Sequence, residues 1–228
     1  MQGEIASPDA YLHRLRTEDV LFDSMIIRHL SVAGAGPDLA AAFRDRIAWP
    51  EAVEAELRKQ GEYVPELQRF LDNVPVDVLE VDADDEEEVE DIRRDMWAKG
   101  ELQDNDYKHL GEAQCLLFGE RDGYAFATND KRARERARAA IGPDGKPRTA
   151  AIKPVVVFHV IDVLMAMVRS GVCDPATAWE YYVDASQPPE KFALPGFEIP
   201  GSKDRFIRAA TAQQDMWRAE QASEAEAS

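Results

Sequence analysis

The sequence predicts an α/β protein: a three-layer α/β/α sandwich around a mostly parallel sheet. Three observations predict it. Four short apolar runs, at residues 20–22, 47–49, 124–128 and 155–158, and an alternating stretch at 76–81 with Val76 and Val78, read as strands. Most segments between them carry apolar residues three and four apart, as amphipathic helices do. Strands that alternate with helices lie parallel, and right-handed crossovers bring their C-terminal ends to one edge. The 228 residues, 45% of them hydrophobic, suit one such domain with extensions and a core that needs no disulfide.

Taken in order, residues 1–19 are an N-terminal extension with a small apolar face from Tyr11, Leu12 and Leu15. Val20-Leu21-Phe22 is the first strand, and Asp23 ends it. A helix over 24–30 turns Met25, Ile26, Ile27 and Leu30 inward. Gly34-Ala35-Gly36-Pro37 breaks the chain before a short helix through Arg44, with Asp38 as its N-cap. After the strand Ile47-Ala48-Trp49, Pro50 suits the first helical position. The helix over 51–59 then sets Val53 and Leu57 on one face, with Glu56 one residue round. A loop or helix over 62–73 leads to the third strand.

The acidic stretch from residue 82 opens a helix with Val89, Ile92 and Met96 on one face. A polar turn over 99–106 precedes the helix that carries Glu112. The fourth strand is followed by a basic helix over 131–140, stopped by Ile141-Gly142-Pro143, and by a turn at Asp144-Gly145-Lys146-Pro147. The fifth strand leads to an apolar helix over 161–168, closed by Gly171. Asp174-Pro175 opens a further helix through Tyr182. Residues 20–186 form the domain, 187–218 a Pro-rich arm and C-terminal helix, and 219–228 a disordered acidic tail.

Charge narrows the function classes. The formal net charge is −17, but residues 77–91 hold ten acids and no base. Without them 34 acids face 27 bases, a balance of −7; without the last ten residues as well it is −4. Residues 128–153 run the other way, with eight Lys or Arg against three acids. The global charge therefore argues against indiscriminate binding to nucleic acid, while a local basic surface remains. Cys115 and Cys173 sit in apolar contexts and read as buried free thiols of a reducing, cytoplasmic compartment. No Cys/His cluster suggests zinc, and no apolar run reaches the roughly 20 residues of a membrane span.

Four acids carry the chemistry. Asp23 and Asp130 follow short apolar strands and lie 107 residues apart in sequence. If those strands are neighbours, both carboxylates reach one edge, with the helical Glu56 and Glu112 leaning over it. Four carboxylates together repel unless cations neutralise them, and Mg²⁺ or Mn²⁺ suits hard oxygen ligands. Such a pair of ions suits phosphodiester hydrolysis, one activating a water and the other stabilising the leaving oxygen. Each acid also has a plain structural reading. Asp23 and Asp130 suit N-caps, Glu56 suits a surface pair with Lys59, and Gly111-Glu112-Ala113 alone is weak. The run Asp84-Asp85-Glu86-Glu87-Glu88 reads as a solvated helix start. His29, His109 and His159 share no spacing and read as structural.

The order of these features resembles the PIN-domain family of metal-dependent nucleases. The resemblance lies in LFDSMIIRHL, IAWPEAVEAELRK, HLGEAQCLLFGERDGYAFATNDKRARERA and VVVFHVIDVLMAMVRSG, and covers about residues 20–172. It implies a PIN-like catalytic domain in which Asp23, Glu56, Glu112 and Asp130 hold one or two Mg²⁺ or Mn²⁺ ions and RNA is cut. It further implies that Thr128 or Asn129 holds a water or phosphate oxygen, and that Arg132, Arg134 and Arg136 grip the RNA backbone; a solvated helix face is the plain alternative for these arginines. Members are often toxins of toxin–antitoxin pairs. The length and acidity of this chain leave room for an antitoxin or other regulatory partner, or for a role that is not toxic. A homodimer is also expected of the family; the apolar helix over 161–168 suits a dimer face and a core equally. The rival expectations are a silent PIN-like scaffold and a DNA nuclease on the same site.

Overall fold

A computed structural model describes residues 15, 18–96, 109–139, 155–186 and 203–227. The strands are β1 (Val20–Phe22), β2 (Ile47–Pro50), β3 (Asp77–Leu79), β4 (Ala125–Ala127) and β5 (Val157–Phe158). They form one sheet in the order β3-β2-β1-β4-β5, with every pairing parallel. The helices are α1 (Ser24–Val32), α2 (Gly36–Phe43), α3 (Glu51–Gly61), α4 (Pro65–Asn73), α5 (Glu86–Met96), α6 (Leu110–Asp122), α7 (Lys131–Ala139), α8 (Val160–Arg169), α9 (Pro175–Ser186) and α10 (Lys203–Ala227). The expected three-layer α/β/α sandwich is the observed architecture.

The central strands are continuous apolar runs because both of their faces are covered. β1, β2 and β4 are buried at every residue, the pattern of a parallel sheet between helix layers. β3 lies at the sheet edge with Asp77 and Val78 exposed, and a short, charged edge discourages pairing with another chain. Helices α1 to α4 and α8 to α10 pack on one another over one face, while α5, α6 and α7 pack together over the other. Leu15 is part of the core, held where Arg46 Nη1 donates to its carbonyl at 2.9 Å.

Three boundaries differ from expectation, each for a local reason. Pro50 closes β2, opposite Leu79 of β3, and N-caps α3 rather than opening the helix. Helix α2 starts ahead of Asp38, with Pro37 in its first turn, and Asp38 instead accepts a hydrogen bond from Tyr181 Oη at 2.9 Å. Helix α10 continues through Ala227, across residues expected to form a structureless tail. Ala and Glu there are strong helix formers, and Glu220 pairs with Arg169 of α8. Along the same helix Trp217 lies over Gly171, whose φ of +74° ends the turn after α8 and where any Cβ would strike the indole. The polar turn over 99–106, the turns over 141–147 and the arm over 187–201 lie outside the described residues. The apolar helix over 161–168 belongs to α8, which is buried within the chain's own core under α10.

Candidate metal centre

The strand order creates the site. The chain builds outward from β1 through β2 to β3, then returns to add β4 and β5 on the other side. The direction reverses between β1 and β4, and open parallel sheets hold their ligands outside the strand C-termini at such a switch point. Asp23 follows β1 directly; Thr128, Asn129 and Asp130 follow β4. The backbone N–H of Asp23 donates to Ala127 O at 3.0 Å, so the two strand ends are tied together.

Thr128 joins the two acids. Its side chain is fully buried; Oγ1 donates to Asp23 Oδ2 at 2.7 Å and accepts the Asp130 N–H at 2.9 Å. Both aspartates also cap helices. Asp23 Oδ1 accepts the Met25 N–H at 3.1 Å at the start of α1, and Asp130 Oδ1 accepts the Ala133 N–H at 2.7 Å at the start of α7. The cap fixes each rotamer.

The glutamates arrive from helices. Gly111 packs against Val53 so closely that a Cβ would stand 2.8 Å from Val53 Cγ2. That contact draws the start of α6, with Glu112, onto the face of α3 that carries Val53 and Glu56. Gln114 Oε1 fastens it by accepting the Ala52 N–H at 3.2 Å in the first turn of α3. Burial, then Glu112, then Glu56 push the Asp23 carboxyl from 3.8 up to about 7, against the opposing hydrogen bonds from Thr128 and Met25. Burial and Glu112 also raise Glu56, while Ser24, Arg28 and Gln60 lower it. Ser24 stands between two carboxylates with one proton to give. Its Oγ is 3.4 Å from Asp23 Oδ1, long for such a bond, so its proton serves Glu56 better. Beneath them the buried Cys115 thiol is pushed well above its ordinary value, by burial first and then by Asp23 and Glu112.

The sheet edge thus gathers all four predicted acids. The charges of Glu112 and Glu56 act on Asp23, that of Glu112 acts on Glu56, and Thr128 bridges Asp23 to Asp130. Ligand atoms of His109, Glu112 and Asp130 lie within 4.8 Å of one another. His109 and Arg28 are the residues that sequence reasoning missed. His109 had a readable signal, standing one helical turn before Glu112. Arg28, one turn after Ser24 and 7% exposed, had none, because only the fold turns it toward Glu56.

The other predicted residues divide. Arg132 lies beside the site, with Nη1 3.4 Å from His109 Nε2, and Arg134 Nε lies 3.4 Å from Asp130 O. Arg136 is turned away: it pairs with Glu120 at 2.8 Å and Asp95 at 3.0 Å, linking α7 to α6 and α5. Its role is therefore structural, since Glu120 is buried and needs a counter-charge. Thr128 positions its neighbours instead of meeting a substrate. Asn129 uses Oδ1 to accept the Val160 N–H at 3.0 Å, capping α8. His159 and Asp162 complete that helix start with a capping box, which fits the structural role expected of His159. His29 is buried in α1, where burial and Arg28 push it down to about 4.

The N-termini of α1, α3, α7 and α8 all open toward this edge, and their dipoles favour negative charge there. No family model, curated protein or solved structure matches the chain.

Proposed function

We propose that the chain is a PIN-like, divalent-metal-dependent endoribonuclease whose centre is Asp23, Glu56, Glu112 and Asp130. One observation carries the reading: four acids distant in sequence converge at the β1–β4 switch point, where burial and mutual repulsion hold Asp23 near 7. Hard carboxylate oxygens in this number fit Mg²⁺ or Mn²⁺, which would relieve the repulsion that each acid imposes on the next. A bound divalent ion would supply water activation and stabilise a leaving oxygen in phosphodiester hydrolysis.

The chain's own residues do the rest. Thr128 and the two helix caps hold the aspartates in one orientation, so little reorganisation is needed when substrate arrives. Arg132 and Arg134 lie beside the carboxylates at the start of α7 and bind RNA phosphates there. Arg28 offsets part of the charge of Glu56. Cys115 and Cys173 are free and buried, in keeping with a reducing, cytoplasmic setting. No helix among the described residues is long and apolar enough to cross a membrane. The family resemblance makes a toxin–antitoxin pair one setting for the activity, with a protein antitoxin as partner.

The test is cleavage of a mixed structured and single-stranded RNA pool, beside DNA of matched sequence. It is run with Mg²⁺ or Mn²⁺ and then EDTA, for wild type, Asp23→Asn and Asp130→Asn. Metal-dependent cleavage of RNA that both substitutions abolish is expected. Folded wild type that cuts nothing with either ion refutes the reading, and cleavage of DNA alone moves the substrate.

A further inference from the structure

We propose that His109 is a metal ligand through Nδ1, so that this centre takes a divalent first-row transition ion in preference to Mg²⁺. The inference rests on the metal-centre reading above and specifies its ion. The His109 side chain is only 9% exposed, yet its Nδ1 is buried without a hydrogen-bond partner. A buried polar atom without a partner is rare in a folded protein and calls for an explanation. The atom is aimed at the acids: Glu112 Oε1 lies 3.7 Å away, too far for a hydrogen bond. Two ligands bound at about 2.1–2.2 Å to one ion stand roughly 3–4.4 Å apart, so 3.7 Å is the edge of a coordination shell. Asp130 completes the group, with all three ligand atoms inside 4.8 Å.

The backbone supports this placement. His109 has φ +61°, one of two non-glycine residues with positive φ among those described. From there its ring folds over Glu112, one turn into α6. Imidazole nitrogen then decides the ion. Mg²⁺ takes hard oxygens and gives up its waters reluctantly, whereas first-row transition ions accept nitrogen and oxygen ligands together. Mn²⁺ is held least tightly of these ions, but it accepts carboxylates with one such nitrogen and its electron spin reports that nitrogen, so it serves as the probe. With the ion on Nδ1 the ring proton sits on Nε2, which then faces Arg132 Nη1 as a second donor, so their 3.4 Å contact opens.

The experiment is pulsed EPR on the full chain loaded with Mn²⁺, read for ¹⁴N modulation, with Mg²⁺ as competitor. His109→Gly and His109→Asn are the variants, because both residues accept a positive φ and the fold is preserved. Wild type is expected to show directly bound nitrogen, and both variants to lose it. Loss of the ligand should weaken Mn²⁺ binding by about tenfold or more, with Mg²⁺ binding little changed. Bound Mn²⁺ without ¹⁴N coupling in wild type, or coupling that persists in both variants, overturns the proposal and leaves the carboxylate centre standing. Failure of the folded wild type to bind Mn²⁺ overturns both.

Discussion

Asp23→Asn should stabilise the metal-free protein at neutral pH, although it removes a residue of the proposed centre. The carboxyl of Asp23 is 5% exposed and rises from 3.8 to about 7, through burial first and Glu112 second. At about 1.4 kcal/mol per tenfold, ionising it in the folded state costs on the order of 4 kcal/mol. The carboxyl holds its proton more tightly folded than unfolded. Its favourable contribution is therefore complete below about pH 3.8 and is lost as pH rises through about 7. Asn is as good an N-cap as Asp, so the bond from Met25 survives. The bond from Thr128 becomes a neutral one with its donor reversed, which returns about 1 kcal/mol. The variant should gain about 2–3 kcal/mol over wild type at pH 8 and almost nothing at pH 4.

Urea unfolding in EDTA, from pH 4 to 8, measures this directly. Glu120 and Asp162 are also raised by burial, but they titrate in both proteins and cancel in the difference. Adding the cation should reverse the ranking, since an ion at about one thousand times its Kd stabilises wild type by about 4.1 kcal/mol and the variant by much less. A difference between the two proteins that does not change with pH, or a variant less stable than wild type at pH 8 in EDTA, would refute the account of a buried, repelled carboxylate.

Other substitutions separate the parts. Gly111→Ala places a Cβ against Val53 and should cost about 1–3 kcal/mol while moving Glu112 off the site; adding Val53→Ala should recover both stability and metal binding. Thr128→Val removes the hydroxyl shared by Asp23 and Asp130. It should cost about 2 kcal/mol and push the Asp23 carboxyl higher still, which a carbon-detected NMR titration would read. Arg136→Ala leaves the buried Glu120 without its partner and should cost about 3 kcal/mol or more in unfolding experiments, with RNA affinity unchanged once the protein is folded.

What could be read from the sequence follows from where the physics is local. The central strands are legible because a strand buried on both faces must be an uninterrupted apolar run, and Val20-Leu21-Phe22 or Ala125-Phe126-Ala127 cannot be much else; the exposed edge strand β3 is legible only through its alternation of Val76 and Val78 with acids. The two aspartates followed from strand ends, which a parallel sheet collects along one edge. The glutamates were harder, since Glu56 and Glu112 meet only through the contact of Gly111 with Val53, a pairing of residues 58 apart that no local pattern announces. The placement of Arg136 is hidden for the opposite reason. Its neighbours in sequence are basic, so the helix looks like a phosphate-binding surface, but its partners Glu120 and Asp95 come from two other helices. The histidines share no spacing with one another, so the signal at His109 lies only in its distance of one helical turn from Glu112.

An acid that caps a helix at this edge can also serve the proposed metal centre. A carboxylate has two oxygens. Asp23 and Asp130 each use Oδ1 to accept a backbone N–H at the head of the helix that follows their strand. In Asp23 the second oxygen is then held by Thr128, whose hydroxyl also takes the N–H of Asp130. The cap removes the rotamer freedom that a ligand would otherwise lose on binding an ion, and the helix dipole behind it favours the ionised form that binding requires. Burial opposes that form, which is why Asp23 stands near 7 and not near its ordinary value. Stability and the proposed metal binding therefore pull on the same atom in opposite directions. A substitution that keeps the cap but deletes the charge, as Asn does at either position, is the one that separates them.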